Sequence, residues 1–190
     1  MQDISLHLLD IIENSVRAKA RNIWLTILIR HSDNLLRITV KDDGSGMDYD
    51  TLQAAQNPFY TTKTERIKKV GLGIPLFKEN AERCDGNFQI DSIIGKGTTI
   101  TANFTYDHID RMPLGSITDT ILTSIMGHAQ TDIHLDLLNQ KPDTDDLEFK
   151  FSTALVKKEL GDIPLTYPDV ITFLIEMLNE GINNTEMEEN

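Results

Sequence analysis

Asp10 and Asn14 lie four residues apart in a segment whose apolar residues Ile4, Leu8, Ile12 and Val16 recur every four positions. On a helix that spacing stacks the two polar side chains one turn apart on the same face. A carboxamide so placed offers an oxygen to a hard cation such as Mg2+, and a carboxylate one turn away can orient or deprotonate a nucleophile. A second group, Asp42-Asp43-Gly44-Ser45-Gly46-Met47, follows a strand-like run. A carboxylate at a strand end can accept a hydrogen bond from the exocyclic amine of adenine, and glycines two and four residues later let the backbone turn tightly against the base. A calcium loop is set aside, because its alternating ligand spacing and closing glutamate are missing. A third group, Lys69-Val70-Gly71-Leu72-Gly73-Ile74, leads into a helix and suits backbone amides cradling phosphate. Neither the Walker spacing nor the G-x-G-x-x-G form occurs in the chain. Between the second and third groups, Tyr60 to Lys69 holds Lys63, Arg66, Lys68 and Lys69 against the single acid Glu65, a basic, threonine-rich loop suited to close over a triphosphate.

The elements that must position these residues follow from periodicity. The first helix is expected from Gln2 to Lys19, with Asp3, His7, Asp10, Asn14 and Arg17 forming a polar stripe beside the apolar one. Asn22 to Arg30 and the alternating Leu36, Ile38 and Val40 read as strands, with His31-Ser-Asp-Asn34 as the turn between them. A helix opening at Gly71-Leu72-Gly73 should run to Cys84, with Gly86 as its C-terminal stop. Asn87 to Ile93 and Thr98 to Tyr106 read as strands joined by Gly95-Lys96-Gly97. Beyond Asp107 the order is helix to Ala129, strand at Ile133 to Leu138, strand at Leu147 to Val156, and helix at Asp169 to Gly181. The acidic end from Asn183 to Asn190 is expected to be disordered.

With 190 residues, 39% hydrophobic and 25% charged, the chain has room for one full domain and a small second one. Residues 1–106 carry 13 acids and 13 bases, leaving 17 acids and 5 bases of the chain's 30 and 18 for residues 107–190, so the whole net charge of -12 lies in the second part. Such a surface repels a phosphate backbone, and nucleic acid is not expected as a partner. No apolar stretch reaches the ~20 residues of a spanning helix, and the start Met-Gln-Asp-Ile-Ser lacks a signal-peptide layout, so a cytoplasmic protein without membrane contact is expected. The single cysteine, Cys84, reads as a buried thiol. The histidines form no metal-ligand cluster.

Taken in order, the helix with Asn14, the strand-Asp-x-Gly-x-Gly, the Asn57-Pro58-Phe59-Tyr60-Thr61-Thr62-Lys63 segment, the Gly-x-Gly helix and the Gly95-Lys96-Gly97-Thr98 turn resemble the boxes of the GHKL ATPase superfamily of gyrase, heat-shock chaperones, histidine kinases and MutL. The resemblance covers residues 4–106. It implies a two-layer α/β sandwich of the Bergerat type, with helices on one face of a mixed, mostly antiparallel sheet. To this would be added a small acidic α+β module at 107–182 and a tail at 183–190. It also implies ATP and Mg2+ as cofactors, with Asn14 as the metal ligand, Asp42 as the adenine reader with Thr98 beside it, and Gly44, Gly46, Gly71 and Gly73 as the loop glycines. Met47, Phe59, Thr62, Lys63 and Leu72 complete the nucleotide-binding set, Lys63 on phosphate.

Members of the superfamily that hydrolyse ATP usually carry glutamate where this chain has Asp10, so Asp10 is the expected catalytic residue and turnover is expected to be slow. A self-contained histidine kinase needs a dimerisation helix pair ahead of this domain, for which the chain leaves no room, and His7 is expected to have a structural role. The resemblance therefore implies a regulatory Mg-ATP-binding protein, an ATPase switch. The alternatives are a kinase acting on a partner's serine or histidine, and a module that only senses ATP. The chain as a whole looks like short stand-alone bacterial proteins often encoded beside iron-only hydrogenase subunits, which implies a hydrogenase-related protein partner. Homodimers are common in the superfamily, although no heptad supports one here.

Overall fold

The computed structural model describes residues 3–56 and 73–187. Asp3, expected on the polar stripe, instead caps the first helix: its side chain accepts a hydrogen bond from the Leu6 N–H and so satisfies one of the free amides at the start of α1 (Ile4–Arg17). The α1 stripe of Ile4, Leu8, Ile11 and Ile12 is buried. β1 (Asn22–Arg30) and β2 (Leu35–Asp42) alternate buried and less buried residues, as strands covered on one face must. Asn34, left-handed at φ 50°, ends the short 3-10 turn between them. After α2 (Tyr49–Gln56) and α3 (Gly73–Arg83) come β3 (Asn87–Ile93) and β4 (Gly97–Thr105).

The C-terminal stop of α3 differs from expectation. Asp85 is the left-handed residue, at φ 54°, while the Gly86 N–H closes back on the Ala81 carbonyl at 3.0 Å. Glycine is needed at 86 for space, since a Cβ there would lie 1.8 Å from the Asn103 carbonyl oxygen on β4.

The C-terminal residues form α4 (Ile117–Gly127), β5 (Asp132–Gln140), β6 (Leu147–Ser152), α5 (Thr153–Leu160) and α6 (Pro168–Asn184). Their strands join the same sheet. The order is β3-β4-β2-β1-β5-β6, with β5 parallel to β1 and every other pair antiparallel. The stretch read as one strand from Leu147 to Val156 breaks at Ser152. There the Thr153 hydroxyl accepts from the Ile133 N–H at 2.8 Å, and Ala154, Leu155, Lys157, Lys158, Glu159 and Leu160 are favourable helix formers.

One face of the sheet, carrying Ile23, Leu25, Ile27, Ile38, Val40, Ala102, Phe104, Leu135 and Leu137, is buried. α1 packs between α3 and α4, and α4 against α6, over this face. The expectation of helices on one face needs one addition, because Leu155 of α5 stands beside Trp24, Thr26, His134 and Asp136 on the opposite face. Residues 183–187 of the acidic end are more ordered than expected: Thr185 and Met187 are buried, and Asn139 donates to the Thr185 carbonyl at 2.9 Å, which ties this stretch to β5. Among the described residues no helix is long and apolar enough to cross a membrane.

Candidate functional site

Asp42 ends β2 on the helix-covered face, beneath α1, and is 6% exposed. Its Oδ1 accepts from the Gly44 N–H at 2.9 Å and the Thr98 N–H at 3.2 Å, and its Oδ2 accepts from the Ser15 hydroxyl at 2.9 Å. Three donors from three elements hold one carboxylate in one orientation. Asp43 points elsewhere. It accepts from the Arg21 N–H, the Asn22 N–H and the Asn22 side chain at 2.7, 2.9 and 2.8 Å. Burial works to raise its pKa, but these hydrogen bonds outweigh burial and hold the carboxyl below the usual range. Of the two adjacent aspartates, Asp42 thus faces the site and Asp43 fastens the loop to β1.

The glycines after Asp42 are there for close approach. A Cβ on Gly44 would lie 2.9 Å from the Ala18 Cβ, the Ala18 carbonyl oxygen and the Asp42 Oδ1. Gly46 has φ +65°, and a Cβ there would come within 2.0 Å of the Ile93 carbonyl oxygen. The loop is pinned by the Ser45 N–H on the Ala18 carbonyl and by the Gly95 N–H on the Ser45 carbonyl, both at 2.8 Å. Met47 is partly buried against the core, and its N–H donates to the Ser92 hydroxyl at 2.8 Å. The Ser92 and Thr98 hydroxyls lie 2.9 Å apart. Loop, β3 and β4 therefore meet around Asp42.

Asp10 and Asn14 lie one turn apart on α1 as their spacing requires, Asp10 exposed and Asn14 half-buried. Among the described residues neither side chain has a hydrogen-bond partner. Gly73, the first residue of α3, meets Asp10 directly: a Cβ on Gly73 would lie 2.8 Å from the Asp10 Cβ and 3.0 Å from its Oδ2. The N-terminus of α3, an end at which helix amides lack intrahelical partners, is thereby set beside the Asp10 carboxylate. Behind it His7, 1% exposed, has Nε2 2.9 Å from the Asn80 amide nitrogen and stacks on Phe77 at 5.6 Å between ring centroids. Burial pushes its pKa down, and the ring joins α1 to α3 as a neutral group.

Asn14, Asp42, Gly44, Gly46, Met47, Gly73 and Thr98 are thus brought to one end of the sheet, with Asp10 beside Gly73. Phe59, Thr62, Lys63, Gly71 and Leu72, with the rest of the basic segment at 60–70, lie outside the described residues. Three residues outside the expected set also shape the site. Ser15 continues the buried stripe of Ile4, Leu8, Ile11 and Ile12, and a hydroxyl on an apolar stripe was the available signal. Gly97, at φ +103°, would bring a Cβ within 1.9 Å of the Asp42 carbonyl oxygen. Ser92 left no signal, because its role exists only through pairing of β3 with β4.

Residues 2–108 match the model of the histidine kinase-, DNA gyrase B-, and HSP90-like ATPases. The chain is 33% identical over 111 residues to the sensor histidine kinase WalK of Bacillus subtilis (strain 168), an alignment that covers 55% of this chain and 18% of the relative. It is 34% identical over 90 residues to sporulation kinase C of the same organism, covering 47% of this chain and 20% of that one. The chain thus spans about a fifth of the length of these relatives. In fold, it is similar to the N-terminal domain of a DNA repair protein, with a TM-score of 0.50 at 14% identity, over 80% of this chain and 53% of the other.

Proposed function

Because the chain belongs to the family of histidine kinase-, DNA gyrase B-, and HSP90-like ATPases, we propose that its ATP-binding domain takes Mg-ATP at the sheet end beneath α1 and works as a slow ATPase switch. The observation that carries this reading is the buried Asp42 carboxylate. Of about four lone-pair positions on a carboxylate, three are filled by Gly44, Thr98 and Ser15. The position left on Oδ2 suits the exocyclic amine of adenine, while Gly44 and Gly46 leave no side chain in the way of the base.

The donor set at the phosphate end fits the nucleotide's charge. Mg2+, when bound, neutralises phosphate oxygens. Asn14 would hold it through an amide oxygen that has no other partner among the described residues. The α3 N-terminus would bind phosphate through its free amides, with basic groups of the 60–70 segment closing over it. Asp10 would orient a water and take its proton as the water oxygen bonds to the γ-phosphorus. The bond from that phosphorus to the bridging oxygen breaks, and ADP leaves with the electron pair. An aspartate arm is shorter than the glutamate arm by about one C–C bond, ~1.5 Å, which supports slow rather than fast turnover. Closure of the segment would change a surface that a partner protein would read.

Transfer of the γ-phosphate to a partner's side chain is the second reading, favoured by the kinase relatives. The test is incubation with Mg2+ and γ-labelled ATP, counting free phosphate and protein-bound label over time beside an Asp10→Asn variant. Free phosphate that disappears in the variant supports the ATPase switch. Label on an added protein, with little free phosphate, supports the kinase. Tight binding with neither product leaves ATP as a sensed ligand and sinks the switch.

A further inference from the structure

On the face of the sheet opposite α1, two cross-strand rows run over β1, β5 and β6: Trp24, His134 and Ser152 in one, Thr26, Asp136 and Lys150 in the next. Leu155 of α5 lines one side, and together they border an open cavity of about 300 Å3, at the small end of ligand-sized pockets. In the first row, His134 and Ser152 are hydrogen-bonded. His134 lies 3.0 Å from the Ser152 hydroxyl through Nδ1, 3.2 Å from the Asn22 carboxamide oxygen through Nε2, and stacks on Trp24 at 5.3 Å. The second row differs. Lys150 is paired with Glu148, and among the described residues nothing donates a hydrogen bond to Asp136. Asp136, Glu148 and Lys150 leave one negative charge over, and it sits in a mostly apolar recess. Burial raises the Asp136 pKa, Lys150 works against that rise and Glu148 adds to it.

We propose that this cavity is a binding site for a small organic cation, a primary ammonium or guanidinium carried on an apolar arm. The cation would rest on Asp136 and the arm would lie between Trp24 and Leu155. Charge-assisted hydrogen bonds to Asp136 would supply specificity, and burial of the arm the rest of the affinity. Trp24 already accepts a cation from the β2 side, where the Lys41 ammonium lies 5.4 Å from the ring centroid. No residue of the nucleotide site is involved, so this site stands or falls apart from the ATPase reading.

Trp24 is the only tryptophan of the chain, which makes it a built-in reporter. In the absence of nucleotide, phenethylamine and Nα-acetylarginine methylamide would be titrated into the full chain while Trp24 emission is followed, with 2-phenylethanol as the neutral control. A saturable change with either cation is expected, weakened about tenfold or more in Asp136→Asn and weakened also in Leu155→Ala, a change on the exposed side that leaves the fold and the carboxylate in place. Tighter saturation by the arginine derivative would assign the cation to a protein side chain, and tighter saturation by phenethylamine to a free amine. No saturable change with either cation, an equal response to 2-phenylethanol, or unaltered binding by Asp136→Asn would overturn the proposal.

Discussion

Asp10 and Gly73 touch: the place a methyl would occupy on Gly73 lies 2.8 Å from the Asp10 Cβ and 3.0 Å from its Oδ2. The carboxylate of α1 and the first residue of α3 therefore share one small volume, and neither can change size without moving the other. Gly73→Ala is expected to displace the Asp10 carboxylate and to lower phosphate release by on the order of a hundredfold, as misplacement of a catalytic group by about 1 Å does. Steady-state phosphate release beside Asp10→Asn checks this. Equal turnover in Gly73→Ala and the parent would show that Asp10 does not need its present position.

Asp42→Ala would leave the buried N–H groups of Gly44 and Thr98 without their acceptor. The expected loss of stability is on the order of 1 to 3 kcal/mol, read by urea unfolding. Asp42→Asn keeps an acceptor but puts an amine where adenine's own amine would arrive. It is expected to fold, and to bind ATP about tenfold or more weakly by calorimetry.

Gly97→Ala combines a left-handed backbone at φ +103° with a methyl 1.9 Å from the Asp42 carbonyl oxygen. A destabilisation of roughly 1 to 3 kcal/mol is expected. Gly95→Ala is the control, because it is also left-handed, at φ +76°, yet a Cβ there meets nothing within 4 Å. The excess loss in Gly97→Ala measures the clash with Asp42 apart from backbone strain.

His7 sets a pH dependence of stability. Burial lowers its folded pKa below the ordinary 6.5, so in the window between that value and the lowered one the unfolded chain binds more protons than the folded one. The stability contribution is present above about 6.5 and is lost as pH falls through the folded value. His7→Gln, which keeps an acceptor for Asn80 and does not titrate, should have a shallower loss of unfolding free energy below that pH than the parent. Identical slopes in denaturant titrations across this range would show that His7 is not the group responsible.

Much of the fold was legible because periodicity is local. β1 and β3 fall at the residues read as strands, and the α1 stripe is the buried one. Less was legible after residue 107. The run from Leu147 to Phe151 reads as strand and simply continues into Val156, yet the chain turns helical at Thr153 because that hydroxyl caps β5, a contact with residues twenty positions away. The acidic end likewise reads as solvated, while Asn139, buried near the end of β5, holds Thr185 down.

The amino-acid order alone determined the family, because the polar pair on one helix turn and the two glycine-bearing loops are short-range patterns that survive without a partner. The Asp-x-Gly-x-Gly spacing already singled out Asp42 over Asp43, and only tertiary structure decided what holds each. Strand alternation sends Asp42 beneath α1 to Ser15 and Thr98 and Asp43 to Asn22. The pairing of β5 alongside β1 was likewise invisible from the chain, because the edge a strand chooses depends on residues more than a hundred positions apart. That choice brings Trp24, His134 and Asp136 together on the far face of the sheet.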